Sequence, residues 1–195
     1  MKSLDRFNPE SLNELEIAER AHQFRATFGI ADKTYVDIIE ILEFRIIDFV
    51  PDFRLIIRRD IELKNTAETT IDPPRIFVRE TIYDAACEGD RDCRRILAHE
   101  LGHFLLHMKI EGSMQRNLLG YEKQILASNS LSSIEDQADI FARHFLVPPY
   151  VAFKNREDIQ NLADLTGVPQ NIAAAAATIS KRVEMLKIRD YQASK

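Results

Sequence analysis

The segment from His99 to His103 reads His-Glu-Leu-Gly-His inside a run whose apolar spacing predicts an α-helix. Residues four apart on an α-helix lie on one face about one turn apart, so both imidazoles can reach a single metal ion. Two such histidines can bind Zn²⁺ at about 2.0–2.1 Å, and Glu100 beside them can accept a proton from water at the metal. A separate apolar stripe can anchor the helix in a core; it comprises Leu97, Leu101, Phe104, Leu105 and Met108.

A zinc enzyme needs a third protein ligand and keeps a fourth position open for water. The pattern of residues 134–147 predicts a helix after the histidine helix, and on it Glu135 and Asp139 are four residues apart. Glu135 would complete a His₂Glu site, and Asp139 would accept the free N–H of a ligand histidine. The alternative for this pair is an ordinary solvated acidic face. His107 is expected to pack in the core or to support the ligands rather than to bind the metal, because His99 and His107 are about 12 Å apart along the helix axis.

The remaining patterns predict an α+β fold, in which a small, mainly antiparallel sheet packs on helices. A first helix is expected over residues 11–28, with Ser11 and Glu14 as a capping box and Gly29 as its end. Apolar runs rich in Ile, Phe and Val predict two or three strands, and a polar run between them predicts a loop. The helix after the first is expected at 34–43, the strands at 45–50, 53–63 and 75–80, and the loop at 64–74.

Residues 1–150 are expected to form the metal-site domain, and residues 151–195 a helical extension or a further part of the same domain. Two helices are predicted around Gly167 and resemble a helix-turn-helix. Gln170 and Asn171 open the second of these helices, but an alanine run follows them, which favours packing over DNA contact. The chain has 26 Lys and Arg against 31 Asp and Glu, a balance that disfavours a dedicated nucleic-acid binder.

Neither a secretory signal nor a membrane-spanning run of apolar residues is apparent in the sequence. We therefore expect a cytoplasmic protein. Cys87 and Cys93 are expected to stay reduced, because thiols are kept reduced in that compartment. A second cysteine pair at metal-binding spacing is missing, so a metal-ligand role is not expected for them.

Together, residues 98–107 and 135–148 resemble the ImmA/IrrE family of bacterial and phage zinc metallopeptidases. In that family a helix reading A-H-E-L-G-H-x-L-L-H is followed by E-x-x-A-(N or D)-x-F-A-x-x-L-L-x-P, and this chain matches nearly every defining position. The resemblance covers roughly residues 15–150. The chain departs from it at residues 42–44, which read Leu-Glu-Phe where many relatives have a Leu-Gly-Ile turn.

The resemblance implies a gluzincin-like core that binds zinc, with Glu100 as general base. It implies His99, His103 and Glu135 as the metal ligands, and Mn²⁺ is the alternative metal. It also implies a protein partner, because members of the family cleave helix-turn-helix repressors at specific sites. The second hypothesis is a regulatory binding module that senses a repressor or antitoxin without hydrolysis. The third is a DNA-binding regulator that uses the C-terminal helices.

Peptide hydrolysis also needs a group that stabilises the developing oxyanion. The sequence offers several candidates and does not select among them: Tyr83, Tyr121, His144 and Tyr150.

Overall fold

The computed structural model describes residues 12–107, 134–182 and 187. The α-helices and strands of these residues are α1 (Glu14–Thr27), α2 (Ile38–Glu40), β1 (Arg54–Arg58), β2 (Ala67–Thr70), β3 (Arg75–Arg79), α3 (Glu80–Cys87), α4 (Arg91–His107), α5 (Ile134–Leu146), α6 (Pro149–Lys154), α7 (Ile159–Thr166) and α8 (Gln170–Ile179). A π-helix (Ile41–Arg45) and a 3₁₀ turn (Ile46–Asp48) continue α2, and a second 3₁₀ turn (Asp60–Glu62) follows β1. The predicted α+β class is confirmed.

The described strands form one three-stranded sheet in the order β1-β3-β2. β2 and β3 pair antiparallel as neighbours in the chain, whereas β1 lies on the other side of β3 and pairs parallel to it. The sheet is therefore mixed, with one pairing of each kind, where the sequence predicted mainly antiparallel pairing. Parallel pairing depends on the long connection from β1 to β3, which no local sequence pattern specifies.

The predicted strand at 45–50 is wrong, because this segment is helical. Asp37 caps the start of α2 by accepting hydrogen bonds from two backbone N–H groups. The buried residues that follow recur at helical spacing, and this pattern decides the local structure; they are Ile38, Ile41, Leu42 and Ile46. The segment 42–44, where the chain departs from the family pattern, lies within the π-helix.

The predicted loop at 64–74 contains β2, a polar strand at the edge of the sheet. The capping box of α1 is formed by Asn13 and Glu16, two residues after the predicted pair; Ser11 lies outside the described residues. Gly29 follows the end of α1 with φ of 70°, a backbone conformation that glycine adopts at little cost. α5 ends at Leu146, just before the two prolines, as predicted.

A single large cluster of buried apolar side chains unites the sheet with the helices before and after residue 150. Ile76 and Val78 of β3 face this core. The helices beyond residue 150 contribute to the same cluster through Val151, Leu162, Ala163, Ala173 and Ala177. The division at residue 150 therefore stays a prediction.

Cys87 and Cys93 are free thiols. Within the described residues, every helix is too short or too polar to span a bilayer.

Candidate metal centre

The candidate site forms where α4 and α5 pack closely together. Gly102 of α4 permits this approach, because a Cβ atom there would lie 3.0 Å from Phe141 Cδ1 and 3.2 Å from the Ala138 carbonyl oxygen of α5. Such distances are shorter than ordinary carbon contacts. The missing side chain therefore lets the first two turns of α5 lie against the face of α4 that carries the two histidines.

Three side chains converge on one point, as the sequence predicted for His99, His103 and Glu135. The Nε2 atoms of His99 and His103 are 2.9 Å apart. The carboxylate of Glu135 lies 3.2 Å from the first of these nitrogens and 3.4 Å from the second. Four ligands at 2.0–2.1 Å from a tetrahedral ion are separated by about 3.3–3.4 Å. The two distances from Glu135 are close to this value, and the distance between the two nitrogens is shorter. The three side chains thus form a group that could hold a metal ion.

Asp139 contacts the opposite edge of the His99 ring, at 2.8 Å between Oδ1 and Nδ1. A proton on Nδ1 that is donated to this carboxylate leaves the lone pair of Nε2 directed at the ligand cluster. Arg95, one turn earlier on α4, donates to the same carboxylate oxygen at 3.1 Å. The arginine contact was not predicted, although its spacing of four residues from His99 places both on one helix face.

Glu100 lies beside the ligand cluster and is only 8% exposed. Its Oε2 atom accepts a hydrogen bond of 2.6 Å from the Thr69 hydroxyl of β2. Burial raises the pKa of Glu100 above its usual range, and the Thr69 hydrogen bond acts in the opposite direction. The Thr69 contact was also not predicted, because the sequence assigned this strand to a loop.

A cleft of about 750 Å³ opens over these side chains, lined by β2, by one face of α4 and by the start of α5. The Arg79 N–H donates to the carbonyl of Thr66, the residue just before β2, so Thr66 and Arg79 are a hydrogen-bonded pair. Hydrogen-bonded and non-hydrogen-bonded pairs alternate along antiparallel strands, so the backbone groups of Ala67 and Thr69 point away from β3. No other described strand flanks β2 on that side. A polypeptide in the cleft therefore meets a strand edge with backbone donors and acceptors.

The three histidines of α4 differ in environment. Burial and the neighbouring His99 lower the pKa of His103, which favours the neutral imidazole that binds metals. His107 is 1% exposed, and burial lowers its pKa to about 4. Its ring centroid is 5.9 Å from that of His103. His107 is thus buried beside His103, and its role in packing or in supporting the ligands stays a prediction.

The described oxyanion candidates lie away from the cleft lining. Each of them has a partner elsewhere: Tyr83 donates to Glu43, Tyr150 donates to the Ala31 carbonyl at 2.8 Å, and His144 is buried beside Glu14. Tyr121 lies outside the described residues. None of the three described candidates is therefore placed to contact a substrate carbonyl at the cluster.

A model of the IrrE N-terminal-like domain family, Peptidase_M78, matches residues 55–178, which is more than half of the chain. The matched range runs from β1 through both helices of the candidate site and into α8. Comparisons with curated proteins and with solved structures gave no significant match. On the family match, this chain belongs to the IrrE N-terminal-like family of peptidases.

Proposed function

We propose that this protein is a zinc-dependent endopeptidase that cleaves a helix-turn-helix transcriptional repressor at a specific site. The observation that carries the enzyme class is the convergence of two histidine nitrogens and a carboxylate beside the buried Glu100. Membership of a peptidase family supports the same class. The repressor as substrate rests on the resemblance of the two helix motifs, and it would place the protein in the cytoplasm.

In this proposal His99, His103 and Glu135 hold the metal, and Asp139 orients His99. Zn²⁺, or Mn²⁺ in its place, supplies a Lewis acid that polarises the scissile carbonyl and lowers the pKa of water. Glu100 accepts a proton from the attacking water and later donates it to the leaving amine nitrogen. Burial brings the pKa of this carboxyl closer to neutrality, which suits a group that must both accept and donate a proton.

The substrate segment would bind in an extended conformation along the free edge of β2. Backbone hydrogen bonds to Ala67 and Thr69 would hold it by strand addition, independently of most of its side chains. Thr69 would then serve twice, because its backbone faces the cleft while its hydroxyl binds Glu100. A shift of the bound substrate segment would therefore also shift the Thr69 hydroxyl that hydrogen-bonds to Glu100.

The first test is the metal content of the purified protein and of two ligand variants. We expect about one zinc per chain in the wild type, since three ligands that converge on one point bind a single ion. The His103→Ala and Glu135→Ala variants should lose it, whereas Glu100→Gln should retain it. A wild type that stays without metal after zinc is supplied would refute the enzyme proposal.

The second test is cleavage of a helix-turn-helix repressor encoded beside this chain, when the two proteins are produced together. The wild type should yield two repressor fragments. Glu100→Gln should slow cleavage by about 10²-fold or more while keeping its metal, because the general base is lost. A stable intact complex with the metal-loaded wild type would instead support the non-hydrolytic binding module.

A further inference from the structure

The face of the sheet that points away from the core carries four arginines in two cross-strand pairs. In the parallel register of β1 and β3, Arg54 lies beside Arg75, and Arg58 lies beside Arg79. Their orientation follows from β3, where Ile76 and Val78 point into the core. Because side chains alternate along a strand, Arg75, Phe77 and Arg79 point outward. Phe77 lies among the four, with the Arg58 guanidinium 6.0 Å from its ring centroid. We call Arg54, Arg58, Arg75 and Arg79 the arginine face.

Arg54 and Arg58 are exposed, and Arg75 and Arg79 are half-buried. None of the four has a carboxylate of the described residues within ion-pair distance. Within the described residues, Arg54, Arg75 and Arg79 donate only to backbone carbonyls, and Arg58 contacts the Phe77 ring. Elsewhere in the described chain, the buried Arg25 and Arg94 also donate to backbone carbonyls. Seven other described arginines form ion pairs with acids: Arg45, Arg59, Arg91, Arg95, Arg143, Arg156 and Arg182. The acids just after β1 form their hydrogen bonds with other residues, Asp60 with Thr81 and Glu62 with Arg59. Their charges also attract the arginine face at longer range, Asp60 acting on Arg79 and Glu62 on Arg58.

This arrangement is unfavourable for the isolated fold. Like charges directly opposite each other on neighbouring strands destabilise a sheet, and this sheet has two such pairs. The chain as a whole has a net charge of −5, so acidic side chains to neutralise these arginines are plentiful. A cluster of cations without carboxylates at ion-pair distance attracts an anionic partner.

We propose that the arginine face is an exosite that binds an acidic segment of the protein substrate; this rests on the proposed peptidase function. The face and the cleft share one sheet, because β2 forms the cleft edge and β3 lies next to it, about 4.8 Å away. Extended chain spans about 3.3 Å per residue, so a few residues bridge the two regions. A nucleic acid fits less well, since single-strand binding surfaces stack successive bases on several aromatics and this face has Phe77 alone.

Glu68 gives the exosite a boundary. It occupies the outward face of β2 directly opposite Phe77, and it also lines the cleft. Its carboxylate would repel an acidic side chain at the cleft edge, whereas the arginines beyond it would attract one. The substrate class is therefore a protein whose acidic segment is separated by several residues from its cleaved bond.

The test is binding of a fluorescent peptide of alternating glutamate and alanine to the full-length protein at low salt, about 50 mM. The double variant Arg54→Gln, Arg58→Gln should bind it about fivefold or more weakly. Arg45→Gln, Arg156→Gln is the matched control, because it removes the same charge from an exposed and a half-buried arginine that already have carboxylate partners. It should bind as the wild type does, and a glutamine-alanine peptide should not bind to any of them.

Three results would overturn the exosite: absence of binding by the wild type, equal weakening in the control variant, or tighter binding of a thymidine oligonucleotide that is lost with the same two arginines. The last would make the face a nucleic-acid site. Peptide binding requires neither metal nor hydrolysis. A protein that binds the peptide but holds no zinc would refute the peptidase proposal, whereas a zinc-loaded protein that does not bind it would refute the exosite alone.

Discussion

A substitution at Asp139 is the most direct test of how the ligand His99 is oriented in the candidate site. Replacing Asp139 by Asn keeps the size of the side chain but removes the charge that faces His99 Nδ1 at 2.8 Å. Loss of such a partner typically weakens metal binding 10- to 100-fold, because the ligand imidazole becomes less basic and less well oriented. Asp139 is 56% exposed, so solvent screens part of its effect. We expect the lower end of the range, about tenfold or 1.4 kcal/mol.

The affinity is measured by titrating zinc into the metal-free protein in competition with a chromophoric chelator. The control is Asp136→Asn, which removes the same charge from the same helix, outside the cleft lining. Asp136→Asn should bind zinc as the wild type does. The role assigned to Asp139 would be refuted if Asp139→Asn stayed within about twofold of the wild type, or if both variants lost affinity equally.

Two further variants test the surroundings of the site. Thr69→Val removes the hydrogen bond that opposes the raised pKa of Glu100, so the acid limb of the kcat/KM profile should move to higher pH. Thr70→Val should leave the profile unchanged. Gly102→Ala places a methyl group against Phe141, so urea unfolding should show a loss of about 1–3 kcal/mol, and an unchanged midpoint would contradict the close packing of the two helices.

The elements of the site that the sequence predicted are those whose geometry is local. Spacings of four residues on α4 and α5 place His99 with His103, and Glu135 with Asp139, on common faces without knowledge of the fold. The wrong strand at 45–50 shows the limit of this approach. Its Ile and Phe content is typical of strands, and only the burial of every third or fourth residue from Ile38 onward shows that it is a helix.

The contacts that the sequence did not predict join residues far apart in the chain. Thr69 is 31 residues from Glu100, and the polar sequence of its strand is typical of a loop. The oxyanion candidates looked equivalent in sequence, but Tyr83 and Tyr150 donate to partners away from the cleft, and their position depends on how the helices pack.

The amino-acid sequence by itself determined which side chains share a helix face, because the α-helix has a fixed period. The apolar stripe of each helix also decides which of its faces packs against the core. That was enough to identify the three metal-ligand candidates and the candidate general base. Only the tertiary structure decided which face of α4 meets α5, which strand edge borders the cleft, and that two pairs of arginines lie side by side on the outer face of the sheet. These features depend on packing and strand order, which join segments that no local period relates.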